Sequence, residues 1–146
     1  MALFDVFDLA GSGMRAQSMR LNVTASNLAN ADNVASRPEQ TYRARHPVFA
    51  SHMLDASRQR PGPALPGQSA STGVRVLGVV ESAMEPVRRY QPDHPLADES
   101  GYVFGTNVNP IEEMVNMLSA ARSFQSNVEV LNTTKELLLG TLRLGS

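Results

Sequence analysis

The side chains that could do chemistry are few and scattered. His46, His52 and His94 are the only histidines, and the intervals between them match no metal-ligand spacing. Asp93-His94 and the pair Asp98-Glu99 could supply acid–base groups, but both sit among Pro and Ser residues, the composition of a solvated turn. Gly11-Ser-Gly13 offers backbone donors for a phosphate, yet nothing strand-like precedes it and no Lys-Ser/Thr follows. With no cysteine, disulfides and thiolate metal sites are excluded. Asn22-Val-Thr24 and Asn132-Thr-Thr134 fit a glycosylation pattern but fall inside the helices read below, and Pro63-Ala-Leu-Pro66 reads as plain linker. No nucleophile–base set can be assembled. The expectation is therefore a chain that is not an enzyme, with no catalytic, cofactor-binding or metal-ligating residue and no cofactor.

Charge narrows the partners. Thirteen basic residues face fourteen acidic ones, for a net charge of −1, and the basic residues are spread along the chain. Neutralising phosphates requires a clustered positive field, so nucleic acid is not an expected partner. Lys135 is the lone Lys; every other basic residue is Arg, whose planar fork suits crowded contacts with carboxylates. Near the N-terminus Asp5 and Asp8 stand where a secretory signal would carry Lys or Arg. No run approaches the ~20 apolar residues needed to span a bilayer, so direct membrane insertion is not expected.

Without a reaction to position, the elements themselves become the subject. From the start of the chain, Phe4, Phe7, Gly11, Met14, Ser18, Leu21, Ala25 and Leu28 recur at alternating steps of three and four, which predicts a helix over Leu3–Asn30. Gly11, Ser12, Gly13 and Ser18 lower its intrinsic helicity, and they also allow a neighbouring backbone to come close. Such a helix is stabilised by packing. At the other end, Asn109-Pro110-Ile111-Glu112 reads as a helix start, with Asn as N-cap, Pro in the first helical position and Glu closing a capping box. Met114, Met117, Ala121, Phe124, Val128, Leu131, Lys135, Leu138 and Leu142 then follow the same three–four rhythm, with Gly145 as the stop. At 1.5 Å per residue this second helix is roughly 50 Å long.

The apolar arc of that helix is too wide for one neighbour. Ile111, Val115 and Leu118 lie well away from Leu131, Leu138 and Leu142 on a helical wheel, so the arc spans roughly 200° where a one-sided surface helix needs about 100°. Drift of a 3.5-residue repeat on a 3.6-residue helix accounts for part of this. The remainder calls for partners on more than one side.

Between the helices the composition changes. Every proline except Pro110 falls between Asn33 and Asn107. Thr41–Phe49 and Gly73–Ser82 read as short strands, Pro86–Tyr90 and Tyr102–Phe104 as two more, and the stretch 58–73, with its Pro-rich part 61–71, as a loop. The expected fold is mainly α: long N- and C-terminal helices packed as a coiled-coil-like pair, with a small β-rich and irregular insert. The expected segments are 1–32, 33–107 and 108–146. The tetrapeptide Asn-Leu-Ala-Asn (27–30), taken alone, reads as a helix end, since Asn tolerates the left-handed cap conformation.

That tetrapeptide belongs to a longer stretch. Gln17-Ser-Met-Arg-Leu-Asn-Val-Thr-Ala-Ser-Asn-Leu-Ala-Asn-Ala31, followed by Tyr42-Arg-Ala-Arg45, resembles the N-terminal signature of flagellar axial proteins, the rod, hook and related families. The run Glu113-Met-Val-Asn-Met-Leu-Ser-Ala-Ala-Arg-Ser-Phe-Gln-Ser-Asn-Val-Glu-Val-Leu-Asn-Thr-Thr-Lys135 resembles the partner signature at the other end, and the whole is most similar to the basal-body rod proteins. Phe124 stands where that family often has Tyr, and the 61–71 loop departs from it.

The resemblance implies a structural subunit of the proximal rod, exported uncleaved by the flagellar type III apparatus and assembled in the periplasm. It implies partners among copies of itself and other rod proteins, with the terminal helices forming the axial tube and unfolded before assembly. A cytoplasmic helical adaptor or export chaperone is the alternative. The expected assembly interface comprises Phe4, Phe7, Met14, Leu21, Ala25, Asn27, Leu28 and Asn30 from the first helix. From the second it takes Met114, Met117, Ala121, Arg122, Phe124, Val128, Leu131, Leu138 and Leu142, with Arg122, Glu112 and Glu113 setting register between neighbours.

Overall fold

The computed structural model describes residues 3–53 and 72–144, in the order helix, small β-rich region, helix. Helix α1 spans Leu3–Ala29 and helix α2 spans Pro110–Leu144. Both agree with the periodicity to within one residue. The start of α2 forms as its sequence dictates: the Asn109 Oδ1 accepts from the backbone N–H of Ile111 at 3.1 Å and, more weakly, of Glu112 at 3.5 Å. Gly145, the expected stop, lies outside the described residues, as does most of the 58–73 loop, including Pro63 and Pro66.

Among the described residues five strands lie between the helices. Strands β2 (Arg45–Met53) and β3 (Thr72–Glu81) form an antiparallel ribbon, while β1 (Val34–Ala35), β5 (Tyr102–Gly105) and β4 (Val87–Tyr90) form a three-stranded sheet in that order. The ribbon register runs from Arg45 opposite Glu81 to Met53 opposite Thr72. It shifts once: Val48 faces Gly78 and Phe49 faces Val76, so Leu77 is the extra residue of a bulge. Pro47 is tolerated in β2 because each strand of a two-stranded ribbon has a free edge.

The first strand begins four residues later than the sequence suggests. The apolar alternation over Thr41–Ala44 is real, but other groups satisfy that backbone. The Ala44 N–H donates to Asn107 Oδ1 at 2.7 Å, while Thr41 Oγ1 ties back to the preceding 3-10 turn by donating to the Arg37 carbonyl at 3.0 Å. A strand needs its backbone groups free for a ladder. The two-residue β1 and the short 3-10 turn Pro38–Gln40 are too brief to leave a period in the sequence.

The largest fully buried side chains are Val103, in the middle of β5, and Asn27, near the end of α1. Around them Ala31, Ala44 and Val108 cluster with Tyr42 against them. This knot is where α1, the start of β2 and the entry to α2 converge. Gly101 has a φ of +78°, in the left-handed region, and turns the chain into β5. A Cβ there would also come within 3.0 Å of the Tyr90 ring.

Candidate assembly surface

Two contacts fix how the helices lie. The Arg20 Nη2 donates to Asn116 Oδ1 at 3.1 Å, and Gly13 faces Asn127 so closely that a Cβ would lie 2.9 Å from its Nδ2. Moving up α1 therefore moves down α2, so the pair is antiparallel. The small residue allows the close approach expected of it at Gly13, whereas Gly11 meets only the end of Arg15. On α2 the buried residues are Glu113, Ala120 and Thr134, at intervals of seven and fourteen, and half-buried Asn127 completes the heptad line. On α1 they are Ala10, Ser12, Ala16, Val23, Thr24 and Asn27.

The deepest contact within the chain is thus made of small and polar side chains. The line of larger apolar residues flanks it. Phe7, Met14, Leu21 and Leu28 are half-buried, Ala25 is exposed, and the side chain of Phe4 lies outside the described residues. On α2, Met117, Ala121, Phe124, Val128, Leu131 and Leu138 are half-buried, while Met114, Leu142 and Arg122 are exposed. The physical reason is distance: alanine and glycine let the backbones approach, and bulky residues then fit only at the margins.

Asn27 and Asn30 do different work from each other. Asn27 is 1% exposed. Its Oδ1 accepts from the Arg45 N–H and the Tyr42 hydroxyl, both at 2.9 Å, and its Nδ2 donates to the Arg45 carbonyl at 2.8 Å. One amide therefore ties the end of α1 to the first residue of the ribbon. Asn30 Nδ2 donates to the Ser26 carbonyl at 2.8 Å, closing the last turn. Neither uses a left-handed backbone, because no described residue other than Gly101 has positive φ. Ser12 makes a second tie: its Oγ donates to the Leu9 carbonyl and accepts from the Val74 N–H of β3 at 3.1 Å. The sequence reading missed both ties, since a polar residue on an apolar helix carries no sign of its partner.

Glu113, expected to set register with a neighbour, is 5% exposed and shares the α1-facing line with Ala120. Glu112 and Arg122 remain exposed. The other face of α2 is open. Ile111 is 75% exposed, Met114 56%, Val115 62% and Leu118 54%, and α2 has no substantial contact with any strand. By contrast α1 packs against α2 on one side and the ribbon on another.

Among the described residues no group of His, Asp and Glu could hold a metal ion, and no described helix is long and apolar enough to cross a membrane. The Asp98 carboxylate accepts from the N–H groups of Ser100 and Tyr102, and the His94 Nδ1 accepts from that of Leu96. Both are spent on turns. The shallow opening lined by Glu39 to Arg43, Arg45 and Glu81 holds an exposed ion pair, Arg45–Glu81 at 3.0 Å, and no apolar floor.

Comparison with known proteins gives a consistent result. Residues 7–35 match the family described as flagella basal body rod protein, and residues 99–144 match flagellar basal body rod FlgEFG protein C-terminal. The chain is 51% identical over 145 residues to the flagellar basal-body rod protein FlgC of Salmonella typhimurium, covering 99% of both chains. It is 50% identical to that of Escherichia coli O6:H1 over the same span. It is 39% identical to that of Buchnera aphidicola from Acyrthosiphon pisum, covering 99% of this chain and 98% of the relative.

Proposed function

This chain belongs to the FlgC family of flagellar basal-body rod proteins, a structural family and not an enzymatic one, and we propose that it builds the rod wall by burying its terminal helices against neighbouring subunits. The observation that carries the proposal is the one-sided cover of α2. A helix that packs on a single neighbour yet exposes Ile111, Met114, Val115 and Leu118 on its outer face has surface left for a second one. Each such side chain contributes about 1.5–3 kcal/mol when fully buried. The half-buried flanks, Met14, Leu21 and Leu28 on α1 and Phe124, Leu131 and Leu138 on α2, supply further contact once neighbours close in.

In this reading the partners are copies of the chain and other rod proteins. The subunit leaves the cytoplasm through the flagellar type III apparatus with its N-terminus uncleaved and takes its place in the periplasmic rod, which transmits torque and passes exported subunits. The terminal helices, in this reading, reach their final packing only within the assembly. Mass spectrometry of purified hook–basal bodies tests this. The chain is expected there with its N-terminal residues intact; a chain found only in the cytoplasm refutes the proposal.

A further inference from the structure

Two surfaces lack a partner among the described residues and complement each other. The first is the outer face of the opening turns of α2, with Ile111, Met114, Val115 and Leu118 and the exposed Glu112 at its margin. Past Leu118 the same line continues through Arg122, Gln125, Glu129 and Glu136, so along this line the apolar residues are confined to the first turns of α2; the exposed Val130, Leu137, Leu139 and Leu142 lie off it. The second is one face of the three-stranded sheet. Register pairs Arg88 with Phe104 and Tyr90 with Tyr102, so alternation puts these four side chains on one side, with buried Val103 on the other. The Arg88 guanidinium lies 4.5 Å from the centroid of the Tyr102 ring and 5.8 Å from that of Phe104. Tyr90, 65% exposed, packs edge-on against Tyr102 at 5.2 Å. Among the described contacts Arg88 has no carboxylate partner. Aromatic residues and Arg are the types that concentrate binding energy at protein interfaces.

The two surfaces cannot meet within one chain. The connection from β5 to α2 is fastened along its length. Thr106 Oγ1 donates to the Ala31 carbonyl, Asn107 bonds the Ala44 N–H and the Met84 carbonyl, Val108 is buried, and Asn109 caps α2. Between molecules there is no such bar. We propose that the outer face of α2's first turns in one copy docks on the Arg88–aromatic face of the sheet in a second copy. Arg88 forks the Glu112 carboxylate, and Tyr90, Tyr102 and Phe104 cover Ile111, Val115 and Leu118. The pairing rests on the rod-subunit reading and adds a specific contact between copies. Because the two faces differ, the contact is head-to-tail, and where its rotation does not close on itself it repeats as a helical array.

The chain has no cysteine, so engineered ones report cleanly. Tyr90→Cys and Val115→Cys, each on full-length protein, are expressed singly and together in flagellated cells, which are oxidised before the hook–basal bodies are purified. Together they are expected to give a cross-linked dimer that neither gives alone. Adding Arg88→Glu should lower its yield about tenfold, the scale of a close interfacial charge pair, and Glu112→Arg on the other copy should restore it. No dimer from chains that have entered basal bodies overturns the pairing while the rod-subunit reading stands. Equal dimer from either variant alone overturns it too. A cross-link from the Val115→Cys chain to a different protein gives the face to another rod component and overturns the choice of a second copy. If none of these chains, nor the unaltered one, reaches basal bodies, the rod-subunit reading itself fails.

Discussion

The two terminal helices share a sequence rhythm and differ in how they are held. Helix α1 is clasped on two sides: Ser12 bonds β3, Asn27 makes two hydrogen bonds to Arg45 at the start of β2 and one to the Tyr42 hydroxyl before it, and Gly13 and Arg20 meet α2. Among the described elements helix α2 has substantial contact with α1 alone. Its cap at Asn109 fixes where it begins, and beyond that point the buried line Glu113, Ala120 and Thr134 runs between half-buried flanks. The same alternation of threes and fours therefore serves two duties. In α1 it accompanies an anchored element. In α2 it marks an element left partly uncovered within the chain, so α1 is the frame of the subunit and α2 the element with surface to spare.

The strongest blow to this contrast is Asn27→Ala. It leaves the Arg45 N–H and carbonyl without their side-chain partner and the Tyr42 hydroxyl with Ser26 Oγ alone, at a cost of about 2 kcal/mol. All three tyrosines, Tyr42, Tyr90 and Tyr102, lie in the region between the helices, so urea unfolding followed by tyrosine fluorescence reads that loss directly. A loss below about 0.5 kcal/mol would mean that α1 is not anchored there.

Gly13→Leu acts on the other contact. It drives a side chain into Asn127 and should weaken the α1–α2 pairing by about 1–3 kcal/mol, partly offset by a gain of about 1 kcal/mol in helix propensity. Hydrogen exchange should then quicken along α2 while the β2–β3 amides keep their protection. Equal quickening in the ribbon would show that the helices and strands open as one unit.

The sequence carried the extent of both helices because long periodic runs and an Asn-Pro start leave local evidence. It carried the strand positions approximately, since Val74, Val76 and Val79 mark β3 whatever their partner. It could not carry the depth of packing. The three–four rhythm marks Met14, Leu21, Ala25 and Leu28, which are half-buried or exposed within the chain, whereas a close approach between the helices falls at Gly13, opposite Asn127, and the buried positions include the small Ala16 and Ala120. Glu113 shows the same limit: a charge in the first turn of a helix reads as solvated until the phase of the buried line is known. Asn27 is the converse case. The family resemblance placed it among the assembly residues, and in the folded chain its side chain is occupied internally.

The smallest effect on the free subunit should come with the largest effect on the rod. Val115→Asp with Leu118→Asp changes two side chains more than half exposed, on a face that no other described element covers. Neither substitution opens a cavity or strands a buried polar group. Unfolding free energy of the purified chain should shift by no more than about 0.5 kcal/mol. In the assembled state the same positions would lie between subunits, where a carboxylate without a partner costs several kcal/mol. Swimming and recovery of the chain in basal bodies should therefore be lost while the subunit stays folded and soluble. Asn27→Ala is the reverse, damaging the frame in the free chain. If the double aspartate variant swims normally, the outer face of α2 stays in water within the rod, and the contrast between an anchored helix and one covered by its neighbours falls.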